Sequence, residues 1–129
     1  GLGTGAAVAD IDNDGILELL IAHGESGPQP ISLFKNKNSA KRNFLRIRPV
    51  NVNGAPARGA TVTLFSNLRT HSKTIDAGSG YLCQMEPVAH YGIRDNESNF
   101  KIEIKWTNGE IKTLEIDNLN ETLVVQQKL

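Results

Sequence analysis

The sequence predicts an all-β fold, and three observations carry this prediction. Apolar residues alternate with polar residues along several short segments, which is the two-residue period of a strand with one buried face. Clusters of Gly and Asn separate these segments at short intervals, as in β-sandwiches and barrels. No segment sustains the 3.6-residue apolar period of an amphipathic helix. We therefore expect strands throughout and no helix longer than about two turns.

The clearest strand signal runs from Phe100 to Trp106, where apolar residues alternate with Lys and Glu. Asn108-Gly109 follows directly, and a second strand-like run extends from Ile111 to Ile116. An Asn-Gly pair between two such runs favours a β-hairpin. Other expected strands, the last three with weaker alternation, are Phe44 to Arg48, Ala60 to Phe65, Thr70 to Ala77, Tyr81 to Met85 and Thr122 to Gln126.

An acidic loop near the start of the chain has the spacing of a cation site. Asp10, Asp12 and Asp14 occupy alternate positions, Gly15 follows, and Glu18 closes the nine-residue stretch. Calcium binds six to eight oxygen ligands from carboxylates, carbonyls and water. Gly15 permits a sharp turn, after which Ile16 can offer its backbone carbonyl. We therefore expect Ca²⁺ to be bound by Asp10, Asp12, Asp14, the carbonyl of Ile16, and Glu18.

Other possible assignments of this loop are an EF-hand, a magnesium site, a zinc site and a turn without metal. An EF-hand needs a bidentate Glu at position 12 of its loop, where this chain has Ile21, and the flanking runs are short and apolar. Magnesium demands stricter octahedral geometry, and zinc prefers Cys and His, which the loop lacks. The remaining alternative is an ordinary Asp/Asn/Gly turn without any metal. Repulsion among four carboxylates, with no Lys or Arg in the loop, favours the cation.

Two family resemblances extend these expectations. The stretch from Ala7 to Leu19 resembles the FG-GAP/VCBS repeat, which implies one β-propeller blade with calcium held between two strands by the ligands named above. The second resemblance is carried by five segments: Phe44 to Ile47, Ala57 to Ala60, Ala77 to Pro87, His90 to Ile93 and Ile104 to Gly109. In order and spacing these segments resemble an ASPIC/UnbV domain. The stretch from Gly80 to His90 is similar to the cartilage acidic protein family of secreted proteins.

These resemblances imply a domain organisation and a location. Residues 1–34 are expected to form an FG-GAP/VCBS-like calcium-binding repeat, residues 35–43 a basic linker, and residues 44–129 an ASPIC/UnbV-like antiparallel β-sandwich. The families imply a secreted, matrix-associated adhesion module with an extracellular protein partner. The missing initial Met is consistent with a piece of something longer.

Catalysis is not expected from this sequence. His23, His71 and His90 are scattered, and Ser79 lacks the Gly-x-Ser-x-Gly spacing of a nucleophile elbow. Cys83 lies near His90 in sequence, but no third orienting group or oxyanion hole is evident. Cys83 is the only cysteine, so it is either a small buried apolar residue or the partner of a cysteine outside this chain.

The charge distribution suggests an alternative function. The net charge is zero, yet the segment 35–73 contains nine Lys and Arg residues and no acid. Such a run could bind a sulfated glycosaminoglycan or an acidic partner, with calcium incidental, or it could be an ordinary solvated surface. Nucleic acid is not expected, because no aromatic residues are interleaved with the bases. No apolar run is long enough to insert into a membrane.

Two Asn-x-Ser/Thr triplets start at Asn96 and Asn120. Such triplets are acceptors for N-linked carbohydrate in secreted proteins. Such triplets also occur by chance, and both asparagines are candidate acceptors in a secreted glycoprotein.

Overall fold

A computed structural model describes residues 3–24, 27–37 and 42–128 of the 129-residue chain. Within these ranges the protein forms ten β-strands and no helix, which confirms the all-β class. None of the described segments is therefore an apolar helix of membrane-spanning length. The strands are β1 Gly3–Ala9, β2 Glu18–His23, β3 Ser32–Phe34, β4 Phe44–Val50, β5 Thr61–Phe65, β6 Thr70–Thr74, β7 Ala89–Gly92, β8 Phe100–Lys105, β9 Ile111–Ile116 and β10 Glu121–Gln126.

The strands belong to two compact units. The N-terminal unit combines Gly1–Lys41 with Asp76–Glu86, and the C-terminal unit combines Arg42–Ile75 with Pro87–Leu129. The sequence-based division into 1–34, 35–43 and 44–129 is linear and assigns residues 76–86 to the second domain. Residues 38–41 of the expected linker lie outside the described ranges.

The N-terminal unit contains one antiparallel sheet in the order β1-β2-β3. Strands β1 and β2 are adjacent in sequence and pair so that Ala9 lies opposite Glu18, which leaves residues 10–17 as the connecting loop. Strand β3 pairs with the other edge of β2, with Leu20 opposite Leu33. Short apolar strands therefore flank the acidic loop, as the sequence predicted.

A fourth expected strand in this unit, Tyr81 to Met85, is absent. The segment contains only an isolated bridge between Gly80 and Cys83, and Leu82 between them has a φ of 51°. A left-handed backbone at a branched residue interrupts the extended geometry that a strand requires. The apolar side chains of Tyr81 and Leu82 are mostly exposed, so their pattern did not reflect a buried strand face.

The C-terminal unit is a sandwich of two sheets. One has the order β10-β4-β7 and the other β6-β5-β8-β9. Their inner faces share one apolar core, because alternate residues of each strand point to the same side of a sheet. The strand residues of this core with no exposed surface are Leu45, Ile47, Val62, Leu64, Ile102 and Ile104.

The hairpin between β8 and β9 is confirmed. Phe100 lies opposite Ile116 and Lys105 opposite Ile111, so the register is continuous. Gly109 adopts a φ of 91°, and its N–H donates to the carbonyl of Trp106 at 3.0 Å. The turn thus uses a backbone conformation that glycine adopts without steric cost.

The expectation of a fully antiparallel sandwich is wrong at one strand pair. Strand β10 runs parallel to β4, with Leu123 opposite Ile47. After the β8–β9 hairpin the chain crosses to the other sheet and enters it in the same direction as β4. Parallel strands need such a crossover rather than a tight turn, and local alternation contains no information about direction.

Two polar side chains make hydrogen bonds inside this core. The Tyr91 hydroxyl of β7 donates to the carbonyl of Val62 in β5 at 2.8 Å, and burial raises the pKa of that hydroxyl. The indole N–H of Trp106 donates to the carbonyl of Val50 in β4 at 3.2 Å. Both bonds connect one sheet with the other, and both satisfy groups that would be costly to bury alone.

A buried carboxylate fixes the turn that precedes β8. The side chain of Glu97 has no exposed surface, and its Oε1 accepts from Arg69 Nε and Ser66 Oγ, both at 2.8 Å. Its Oε2 accepts from the backbone N–H of Arg94 at 3.1 Å. Burial by itself raises the pKa of Glu97, but these hydrogen bonds and the Arg69 charge lower it below the usual value.

The fully buried side chain of Ile102 provides a test of the core. We expect Ile102→Ala to lower the free energy of unfolding by about 2–5 kcal/mol, because it leaves a cavity between the sheets. Ile111→Ala, at a side chain 55% exposed on the neighbouring strand, should cost less than about 0.5 kcal/mol. Urea denaturation measures both, and equal losses would contradict the assigned core.

The Glu97 network makes stability depend on pH. Since the pKa of Glu97 is lower in the folded state, its contribution is present above the ordinary value of 4.5 and is lost as the pH falls through the folded value. Glu97→Gln should therefore lower stability by about 1–3 kcal/mol at pH 7 and by less at pH 3. Glu115→Gln, at an exposed acid on β9, is the control. Parallel pH–stability curves for wild type and Glu97→Gln would exclude this role.

Candidate metal centre

The loop between β1 and β2 is shaped by its own polar groups. Asn13 and Gly15 adopt φ values of 60° and 86°, so the chain turns sharply there. The N–H of Gly15 donates to Asp10 Oδ2 at 3.1 Å, and the N–H of Ile11 donates to Glu18 Oε2 at 2.9 Å. These bonds hold the first and last carboxylates of the loop against its backbone.

Three carboxylates meet at the base of this loop. Asp10 and Glu18 are 5% and 2% exposed, Asp12 is exposed, and each offers an oxygen within 4.8 Å of the other two. The two buried groups lie at the ends of paired strands, because Asp10 follows Ala9 and Glu18 lies opposite Ala9. The hairpin register therefore brings them together.

Burial makes this arrangement electrostatically demanding. Two ionised carboxylates at a separation of at most 4.8 Å repel each other by about 3.5 kcal/mol at an effective dielectric constant near 20. Backbone N–H donors to Asp10 and Glu18 offset part of this cost. The three residues form an oxygen-only donor set, which suits a hard cation such as calcium better than zinc.

Asp14 and Ile16 have a different local role in the described structure. Asp14 is exposed, and its Oδ1 accepts from the N–H of Ile16 at 2.8 Å. This bond is a short turn closed by an aspartate side chain, and Asp14 is not one of the three clustered carboxylates. The ligand roles of Asp14 and of the Ile16 carbonyl stay predictions.

Lys35 is a site residue that sequence reasoning missed. It lies directly after β3, and its Nζ is 2.6 Å from Asp12 Oδ2. The hydrogen bond and charge of each partner raise the pKa of Lys35 and lower the pKa of Asp12. Lys35 also interacts electrostatically with Glu18 and Asp14. The loop itself contains no cation, but Lys35, directly after the third strand of the sheet, supplies one.

Lys35 belongs to the basic segment 35–73, whose members have different environments. Arg46 in β4 is only 2% exposed, and Arg69 is paired with the buried Glu97. Lys73 is partly buried, and its Nζ lies 5.4 Å from the centre of the Tyr91 ring. Lys41 lies outside the described ranges. The nine charges of this segment are therefore not all displayed on one solvated face.

The catalytic candidates are distributed over both units. In the N-terminal unit, His23 Nε2 lies 2.9 Å from Ser32 Oγ, and Cys83 is a free, partly buried thiol. In the C-terminal unit, His71 contacts the Tyr91 ring edge-on, and burial together with Lys73 and Arg69 lowers its pKa. His90 stacks on Phe44 with ring centres 6.0 Å apart. The lack of catalysis stays a prediction.

Comparison with known proteins shows close relatives. The chain is 50% identical over 114 residues to Cartilage acidic protein 1 of Xenopus tropicalis, which covers 88% of this chain. It is 41% identical over 128 residues to the protein of the same name from Mus musculus, and 46% identical over 112 residues to that from Homo sapiens. The chain spans about a fifth of the length of these relatives, 18%, 20% and 17% respectively.

A protein-family match covers most of the C-terminal unit. The family described as ASPIC and UnbV matches residues 51–128, from the end of β4 through β10. The sequence resemblance predicts a start of this domain at residue 44. The match does not include the acidic loop, so the FG-GAP/VCBS assignment of residues 1–34 stays a prediction. With more than half of its residues matched, the chain belongs to the ASPIC and UnbV family.

Proposed function

We propose that this chain is a non-catalytic, calcium-stabilised module of a secreted matrix protein. The observation that carries the proposal is the convergence of Asp10, Asp12 and Glu18, two of them buried, at the base of one hairpin loop. A divalent cation bound there would replace carboxylate repulsion by attraction. It would therefore favour the folded hairpin over the unfolded chain.

The proposed ion would be held mainly by the three clustered carboxylates. Asp14 and the carbonyl of Ile16 are close in sequence and would complete the oxygen shell that calcium requires. The β1–β2 pairing positions both ends of the loop, so the ion would link strand ends rather than take part in chemistry. This role is that of the FG-GAP/VCBS-like repeat proposed for residues 1–34.

The extracellular location is supported by the relatives. Those relatives are named for cartilage, a tissue that consists largely of extracellular matrix. Extracellular calcium modules bind with dissociation constants of about 10⁻⁴–10⁻³ M. A calcium site with a dissociation constant in this range would therefore suit a protein outside the cell.

Glycosaminoglycan binding by residues 35–73 has less support. Of the charges that such binding needs, Arg46 is buried, while Lys35 and Arg69 are paired with Asp12 and Glu97. An extracellular protein partner would fit the role of an adhesion module. The charges of residues 35–73 do not define the surface chemistry of such a partner.

Calcium should stabilise the chain through this loop. At about 10 mM CaCl₂ and a dissociation constant near 10⁻⁴ M, mass action contributes about 2.7 kcal/mol, so the melting temperature should rise by several degrees. Asp12→Ala should remove the increase without disturbing the fold, because Asp12 is exposed. Differential scanning calorimetry with calcium or a chelator measures the effect.

Asp117→Ala is the matched control, since Asp117 is an exposed acid beyond the end of β9. This variant should keep the full calcium-dependent increase. If Asp12→Ala also keeps it, the ion binds elsewhere; if the wild-type chain shows no increase, the proposed function is wrong.

Lys35 should compete with calcium for the acidic loop. Because its ammonium group already pairs with Asp12, binding of a divalent ion must weaken or displace that contact. Lys35→Met keeps the aliphatic length and removes the charge, so it should tighten calcium binding on the order of 2–5-fold. Isothermal titration calorimetry measures this change.

Lys37→Met, two residues further along the same segment, should leave the affinity unchanged. Equal affinities for wild type and Lys35→Met would show that Lys35 and the ion occupy the loop independently. That result would still leave the calcium site itself intact, because the site is tested by Asp12→Ala.

A further inference from the structure

The two Asn-x-Ser/Thr triplets have different environments in the C-terminal unit. Asn96-Glu97-Ser98 lies in the connection between β7 and β8, and Asn120-Glu121-Thr122 spans the start of β10. Both asparagines are exposed, so exposure alone does not distinguish them. The hydrogen bonds of their side-chain amides do.

The Asn120 amide is part of the sheet. Its Oδ1 accepts from the N–H of Phe44 at 3.1 Å, and its Nδ2 donates to Asn43 Oδ1 at 3.0 Å. Its backbone N–H donates to the carbonyl of Phe44 at 2.7 Å, and its φ of 64° is one that Asn tolerates better than most residues. Asn120 lies directly before β10 and is therefore bonded to the first residue of β4.

The Asn96 amide has no comparable role. Among the described residues, its side chain makes no hydrogen bond, whereas its backbone carbonyl accepts from Asn67 Nδ2 at 3.3 Å. Asn67 also binds the backbone of Ser98, accepting from its N–H at 2.7 Å and donating to its carbonyl at 3.0 Å. Glu97, between Asn96 and Ser98, is buried, and its carboxylate accepts from the backbone N–H of Arg94. The backbone on both sides of Asn96 is therefore held in place.

We propose that Asn96 is the N-linked glycosylation acceptor of this chain and that the Asn120 amide is kept for a structural role. Attachment at Asn96 uses an N–H that has no protein partner among the described residues. Attachment at Asn120 would instead place the sugar on the nitrogen that donates to Asn43, at the point where β10 joins β4. The rigid turn around Asn96 would present the carbohydrate to solvent without loss of a native bond.

The chemistry requires a polyprenyl diphosphate-linked oligosaccharide as the sugar donor. Asn96 Nδ2 attacks the anomeric carbon of the first sugar, and the new N–C bond replaces the bond from that carbon to the diphosphate oxygen. The amide nitrogen releases one of its two protons to solvent, and the polyprenyl diphosphate leaves as an anion. The proposal uses the secretory route of the proposed function but is independent of calcium.

The experiment expresses the full chain behind a secretion leader in animal cells, so the test does not depend on the native route. The secreted protein is treated with an amidase that removes N-glycans and converts the modified Asn to Asp. Peptide mass spectrometry then identifies the marked position. We expect the mark at Asn96 and not at Asn120.

Four variants separate modification from structure. Asn96→Gln and Ser98→Ala should each abolish the carbohydrate with little change in melting temperature. Asn120→Gln should keep the carbohydrate but lower the melting temperature by about 3–6 °C. The longer side chain of Gln cannot keep the hydrogen bonds that Asn120 makes with Phe44 and Asn43. Thr122→Ala destroys the second triplet and leaves the Asn120 amide intact, so it should keep both properties.

Carbohydrate at Asn120 in the wild-type protein, or an unmodified Asn96, would overturn the proposal. An Asn120→Gln variant as stable as wild type would overturn the structural half of it. Neither result would bear on the calcium proposal, because calcium-dependent melting of Asn96→Gln tests that site separately.

Discussion

The C-terminal unit depends on contact between the inner faces of its two sheets. Val62, Leu64, Ile102 and Ile104 have no exposed surface, because they lie in the apolar core that the two sheets share. Tyr91 adds direction to this otherwise non-directional force. Its hydroxyl donates to a single carbonyl across the core, so sliding one sheet over the other would leave a buried hydroxyl without its partner.

The N-terminal unit balances its interactions differently. Its strands are mostly half-exposed, and the most buried side chains of its hairpin include two acids, Asp10 and Glu18. Such a unit gains less from apolar burial than the sandwich does, so charge balance at the loop has a larger share in its stability. Lys35 provides one positive charge from outside the loop, and the proposed ion would provide two.

Local sequence was sufficient at two places where the determinant is local. The β8–β9 hairpin follows from alternation and an Asn-Gly turn, and the acidic loop follows from the spacing of Asp10, Asp12 and Glu18. Local sequence was insufficient where a partner comes from far along the chain. The direction of β10 depends on its pairing with β4, and the contact of Lys35 with Asp12 depends on β3 pairing with β2. The Tyr81 to Met85 segment failed for another reason, because its apolar residues are exposed.

The parallel pairing of β10 has a consequence for the order of events during folding. Asn120 reaches back over 76 residues to bind Phe44, whereas β5 and β6 can pair as soon as both have been synthesised. Closing so large a loop is entropically costly, so this pairing forms late. Because β10 is also the last strand in chain order, most of the sandwich has left the ribosome before β4 gains its second neighbour. During that interval one edge of β4 is open to other chains, and chaperones that cover exposed strand edges would be most useful to this protein then.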